Sequence, residues 1–354
     1  MDPLKNVMLG SAANVLATML ANGRFDALAM RPYLDANGDS RVAVKNDAGK
    51  YGSIQVNAPA TLRYDEWKDL DRTVIEIGVQ RLVGIADLQS RGLTHALGSI
   101  GNTISQWDRQ SGMTDATVDM AGDTSGEEDT PAFETGKVPV PIIHKDFRLN
   151  LRRLAASRAM GEGIDVTAAA IASRLVSEKS EAMLFAGDPI QVDGEKIYGY
   201  TTHPDRNLVT MTTAWSSIAQ ADNDDIVTDV QAMTAAARAD RKYGPYVLYI
   251  PAAYQGKMDQ DYRAAGDSRT LRQRLLQLEG VSDIKVADFL TGNNVVLVQM
   301  DRQTVDLATA QDITTVEWPE QGGMVRRYKV MAIWVPRLKS DFDGRMGLVH
   351  LRPV

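Results

Sequence analysis

Apolar residues recur at helical spacing in some stretches of the chain and alternate with polar ones in others, and the two periods divide it into elements. Met8, Ala12, Val15 and Met19 step by four, three and four residues, which predicts an amphipathic helix stopped by Asn22-Gly23. Arg41-Val42-Ala43-Val44 alternates between two turn-rich stretches, 35–39 and 46–49, and predicts a short strand in an otherwise extended arm reaching to about residue 60. Helical spacing resumes over 64–90, through Val74, Ile77, Arg81, Ile85 and Leu88. It is lost from 92 to 107, which reads as strand, and the next apolar run is 138–143. The strongest helical stretch follows: Ile164, Ala168, Ile171, Leu175, Ala182 and Phe185 share a face, Arg174, Glu178 and Glu181 mark the wet side, and Asp165 stands at the N-cap. Gly187 ends it, giving a rod of roughly 30 Å over 164–186.

From 221 to 300 helices and strands alternate. Asp222 and Asp224 open a helix with Ile226, Val230, Met233 and Ala237 on one face, and residues 246–250 follow as a buried strand. Ser268 caps a second helix carrying Leu271, Leu275 and Leu278, and strands at 283–286 and 294–300 complete the unit. The last fifty residues return to strands at 312–318, 325–335 and 346–351, with a Gly322-Gly323 turn between the first two.

Composition sharpens this picture in two places. The 354 residues contain no cysteine and four histidines, which excludes disulfides, thiolate metal sites and cysteine nucleophiles and leaves little for a transition-metal centre. A net charge of -7 is located in one stretch: Asp115, Asp119, Asp123, Glu127, Glu128, Asp129 and Glu134 lie between Gln110 and Gly136 with no Lys or Arg among them. The remainder sums to zero, so no electrostatic footprint for tight nucleic-acid binding is present. Gly, Ser and Thr fill the rest of this acidic stretch, and a connection of that length reads as a projecting hairpin or mobile loop. Beyond its return strand lie Arg148, Arg152, Arg153 and Arg158, a basic cluster suited to phosphates or to carboxylates of a neighbouring subunit, with a solvated helix face as the equal alternative. No apolar run approaches 18 residues, so neither a membrane span nor a signal peptide is expected.

Candidate chemistry yields no convergent set. Asp35-x-Asn37-x-Asp39 opens like a calcium loop, but Ser40 occupies the glycine position and Asn46 that of the bidentate glutamate, so a hairpin turn is expected. His144 and Asp146 form a strand-edge pair, Gly266-Asp267-Ser268 lacks the flanking pattern of a nucleophile elbow, and Gly161-x-Gly163 lacks the third glycine of a dinucleotide fingerprint. Asp259 and Asp261 read as solvated. No catalytic residue, cofactor or metal is expected.

Arm, acidic projection, long helix, α/β unit and returning strands occur in the order found in major capsid proteins of tailed bacteriophages, the Hong Kong 97-type fold shared with encapsulin shells. Particular stretches resemble the encapsulin-like branch: Arg81-Leu82-Val83-Gly84-Ile85-Ala86-Asp87-Leu88, the run from Val138 to Phe147, Glu181-Ala182-Met183-Leu184-Phe185-Ala186-Gly187 and Tyr198-Gly199-Tyr200-Thr201-Thr202. The resemblance implies an α+β fold with an N-terminal arm (1–60), an extended loop (92–147), a peripheral domain (61–91, 148–220 and 301–354) with its spine helix (164–186), and an axial domain (221–300). It implies a structural protein, made in the bacterial cytoplasm, that assembles as hexamers and pentamers into a virion capsid around DNA. Portal and decoration proteins are the partners it adds. An encapsulin-type compartment around a cargo enzyme is the alternative, and an α/β enzyme built on 221–300 is a more distant one. Because the chain starts near its arm, scaffolding is expected to be a separate protein or absent. The welding lysine of some members has no counterpart in the acidic stretch, so that chemistry is not expected.

Overall fold

Two strands that are buried at every position need a core on each face, and their placement organises the molecule. They are β11 (Tyr246–Ile250) and β13 (Val295–Gln299), both wholly buried. The computed structural model describes residues 32–35, 37–45, 51–55, 62–80, 82–113, 115–116, 118, 120, 128, 130–159, 166–263, 269–320 and 324–353. The predicted helix through Met8 and Met19, the caps at Asp165 and Ser268 and the Gly322-Gly323 turn lie outside these residues.

The arm residues that are described form a three-stranded antiparallel sheet, β1 (Pro32–Leu34), β2 (Ser40–Lys45) and β3 (Tyr51–Gln55). The expected turn between β1 and β2 is there: Asp35 Oδ1 accepts the amides of Asn37 (2.9 Å) and Asp39 (3.0 Å), and Oδ2 accepts Arg41 Nε at 2.6 Å. Those bonds use the carboxylate as a local turn-former. Helices α1 (Tyr64–Gln80) and α2 (Gly84–Ser90) follow, two helices where the spacing suggested one.

A four-stranded sheet in the order β4-β14-β15-β7 makes the second layer: β4 (Thr94–Ala96), β7 (Ile142–Asn150), β14 (Val305–Glu320) and β15 (Val325–Leu338). After β7 come α3 (Leu151–Ala159) and the spine helix α4 (Thr167–Ala186), which ends at Gly187 with φ of 80°, as its glycine predicted. The packed face of α4 is turned from the predicted one. Ala169, Ala172, Ser173, Val176, Ser177, Ser180, Met183 and Leu184 are buried, while Ile171 is 47% and Leu175 37% exposed. Small side chains let α1 approach closely, and two of the serines use backbone and tryptophan partners: Ser173 Oγ donates to Val74 O (2.5 Å) and Trp334 Nε1 donates to Ser180 Oγ (3.0 Å). Glu181, expected on the wet side, is buried.

The five-stranded sheet runs β10-β16-β13-β11-β12, with β10 (Asn207–Thr210), β12 (Val281–Val286) and β16 (Leu348–Arg352) beside the two buried strands. Alternate residues serve different cores. Val247, Tyr249, Val296 and Val298 face the core shared with α4 and the four-stranded sheet. Tyr246, Leu248, Ile250, Val295 and Leu297 face a second core closed by α5 (Asp224–Ala239) and α6 (Leu271–Leu276). The sheet thus departs from the 221–300 unit, since β10 and β16 come from segments assigned elsewhere. Helix α6 is capped by Thr270, in a capping box with Gln273, rather than by Ser268.

Candidate functional site

The hairpin β5 (Ile104–Gln110) and β6 (Phe133–Pro139) carries the acidic stretch at its tip. A lone two-stranded ribbon is marginal in water, so its root must be fastened. Trp107 lies across its strand partner Gly136, where an added Cβ would stand 2.6 Å from the ring. The guanidinium of Arg337 lies 5.9 Å from the Trp107 ring centroid, and its Nη1 donates to Ser105 Oγ at 3.3 Å. Arg337 and its register partner Asp306 form a buried bidentate pair (2.6 and 2.5 Å), joined by Lys339 at 2.6 Å. Further out, Arg109 Nη1 donates to Ser340 Oγ (3.1 Å), which donates to Asp205 Oδ2 (2.6 Å).

At the tip, Asp115, Glu128 and Glu134 are exposed, whereas Asp119, Asp123, Glu127 and Asp129 lie outside the described residues. Of the basic cluster, Arg148 on β7 and Arg152 and Arg153 on α3 are exposed. Arg158 is committed within the chain, to Glu66 through Nε (2.8 Å) and Nη2 (2.5 Å). Burial alone would raise the Glu66 carboxyl, but that fork and the Arg63 amide hold it below its ordinary range. Among the described residues no ion pair joins the tip carboxylates to Arg148, Arg152 or Arg153, so both surfaces remain available. The charge pattern hid a second property of the tip. Met113 (60%), Val118 (97%), Met120 (101%) and Phe133 (69%) are exposed there, and their presence within the acidic stretch was the available signal.

A buried polar joint ties α4 to α2 and the five-stranded sheet. Glu181 Oε1 accepts the amides of Val83 (2.9 Å) and Gly84 (2.5 Å), and Oε2 accepts that of Ile85 (3.3 Å). Burial pushes this carboxyl up to about 7 against the pull of those donors, with Asp288 adding to the rise. Asp87 accepts from Tyr249 Oη (2.9 Å), Lys285 Nζ (2.8 Å) and Arg91 Nε (3.0 Å). Every polar group of Asp87 is bonded to structure, which is the arrangement of a fastener. Elsewhere His144 Nδ1 lies 3.3 Å from Asp146 Oδ1 on the outer strand β7, both open to solvent, and the same carboxylate oxygen is 3.8 Å from Lys329 Nζ, which makes a surface charge cluster. Among the described residues no cluster of His, Asp or Glu could hold a metal ion, and no helix is long and apolar enough to cross a membrane.

Comparison with known proteins places these parts. The chain is 27% identical over 264 residues to the type 1 encapsulin shell protein EncA of Myxococcus xanthus, a match covering 73% of this chain and 83% of that one. Among solved structures it is similar to the virus-like particle of Pyrococcus furiosus (TM-score 0.55, 16% identity, 81% of this chain and 99% of the other). It is also similar to the capsid of Myoviridae phage XM1 (TM-score 0.59, 10% identity, 77% and 92%). The fold is therefore the Hong Kong 97-type α+β fold that the order of elements implied. Residues 57–351, five-sixths of the chain, match the model described as "Family of unknown function (DUF6260)", and the chain belongs to that family.

Proposed function

We propose that this protein is a structural subunit that assembles with copies of itself, as hexamers and pentamers, into the closed head shell of a tailed phage or prophage around its DNA. The observation that carries this reading is the fastened hairpin. Its root is locked by a buried ion pair, yet among the described residues its tip leaves apolar and acidic side chains exposed. Such a part gains its stabilisation only when a neighbour covers it. In this reading the five-stranded sheet with α5 and α6 is the axial domain, the four-stranded sheet with α1 and α4 the peripheral domain, and β5–β6 the extended loop. The protein works by packing and encloses its contents without chemistry. A nanocompartment around a protein cargo is the second reading, favoured by the 27% identity to a named encapsulin shell protein.

One preparation tests both. Purified protein is examined by negative-stain microscopy, and its particles by absorbance ratio and mass spectrometry after nuclease treatment. Closed particles with protected nucleic acid are expected. Closed particles that hold a second protein and no nucleic acid would select the compartment, and a monomer at high concentration, with or without phage proteins co-expressed, would sink shell formation itself.

A further inference from the structure

Two of the four histidines, His203 and His350, are buried together and are held by one arginine. Arg206 lies in the loop before β10; its Nη1 donates to His203 O (2.6 Å) and its Nε donates to His350 Nδ1 (3.2 Å). On β16, the other nitrogen of His350 faces Asn294 Oδ1 at 3.0 Å. With Nδ1 accepting from a guanidinium, that contact makes Nε2 the protonated nitrogen and the ring neutral. His203 is committed in the same way. Its Nδ1 accepts the Asp205 amide (3.2 Å), and its ring meets that of Tyr198 edge-on, 5.5 Å between centroids. Both imidazoles therefore spend Nδ1 as an acceptor, and a proton on either nitrogen lone pair removes a bond that the loop uses.

The loop matters because of what it joins. Asp205 receives Ser340 Oγ, which receives Arg109 of the hairpin, so an unbroken path runs from β5 through residues 203–206 to β16 and the loop before β13. We infer that His203, Arg206 and His350 form a proton-sensitive latch, closed while both rings are neutral, which fastens the 198–206 loop and with it the hairpin root to the five-stranded sheet. The charges around it oppose protonation. Arg206 and Arg352 face His350; Arg109, Arg206 and the opposing carboxylate of Asp205 act on His203, and Lys137, Glu195 and Lys196 line the same pocket as His203. Burial first, and then these cations, bring each ring down to about 4 from an ordinary 6.5. A latch that opens frees the rings to return to their ordinary range, so opening takes up protons and is favoured as pH falls from 6.5 toward 4. Between pH 8 and 5.5 this makes opening about tenfold more frequent for each histidine released. The latch belongs to the single chain and does not depend on the shell reading.

The test is backbone hydrogen exchange of the full chain, read by mass spectrometry at pH 8 and 5.5 and corrected for the intrinsic pH dependence of exchange. Peptides spanning 203–210 and 348–352 are expected to open about tenfold or more at pH 5.5, while those within 225–239 hold steady. H350Q, which can still accept from Arg206 but takes no proton, should cut the rise by about tenfold, and H203Q should remove its own share. A rise equal across all peptides, or one that both glutamine variants retain in full, overturns the latch. Should a variant fail to fold, imidazole C2–H exchange of the unmodified protein decides the matter: midpoints below about 5 for His203 and His350 support it, and midpoints near 6.5 overturn it.

Discussion

Glu181 shows what a single residue can do when burial and hydrogen bonding oppose each other. Its three amide donors favour the carboxylate, and its dry surroundings and Asp288 favour the acid. The folded group is raised from 4.5 to about 7, so the folded chain binds the extra proton between those values. Its contribution to stability is full below pH 4.5 and is lost as pH rises through 7. Thermal unfolding of E181Q should therefore lose part of the decline that the unmodified protein shows from pH 5 to 8. E181A, which strands two buried amides and a part-buried one, should cost about 2–4 kcal/mol at either pH, measured by denaturant unfolding. An E181A midpoint within error of the parent would remove Glu181 from the joint. The helical period did not reveal this residue: it gives a face, not the depth at which a second helix end meets it.

At the scale of elements, the root of the hairpin and the long β14–β15 ladder are one assembly. Asp306 and Arg337 are directly opposed in that ladder, at 5% and 4% side-chain exposure, with Ser105 of β5 and Lys339 as further partners. Removing one member leaves an uncompensated buried charge, at a cost of about 3–5 kcal/mol. D306A is expected to lower stability by that amount and to make β5 and β6 exchange faster, whereas the double variant D306L/R337M should recover most of the loss. Single and double variants with equal stabilities would show that the pair does not act as a unit. The hairpin itself was legible as two strands around an acidic stretch. Its fastening was not, because Ser105 meets Arg337 from 232 residues away and Asp306 meets Arg337 across 31.

For the whole molecule, the tip decides how subunits would meet. The sequence suggested an electrostatic contact, carboxylates against Arg148, Arg152, Arg153 and Arg158, weakened by salt. Arg158 is spent on Glu66, and the exposed Met113, Val118, Met120 and Phe133 change the balance. An exposed ion pair contributes up to about 1 kcal/mol, whereas burying one such apolar side chain contributes about 1.5–3 kcal/mol. In the proposed contact with a neighbouring subunit, apolar anchoring would dominate and the charges would set orientation. In assembled particles, limited proteolysis of 110–136 should be suppressed relative to free subunits and remain so at high salt. M113S/F133S should weaken assembly more than R148Q/R152Q/R153Q, read as the concentration needed for particles. The reverse order, or protection abolished by salt, would return the contact to electrostatics.

The sequence by itself determined the spine helix and where it ends, the helix over 224–239, that 246–250 is a buried strand and that one stretch holds the excess negative charge. These are local properties: spacing, a glycine at positive φ, a run without polar atoms. The tertiary structure alone decided the face α4 buries, because serines and alanines that look neutral in sequence are what a close-packed helix pair requires. It decided that β10 and β16 complete the five-stranded sheet, since a strand carries no mark of its partner until hydrogen bonds choose one. It also decided that four charged or polar clusters, around Glu181, Asp87, Asp306 and His350, are internal fasteners, since burial and the distance between side chains remote in sequence arise only when the chain closes on itself.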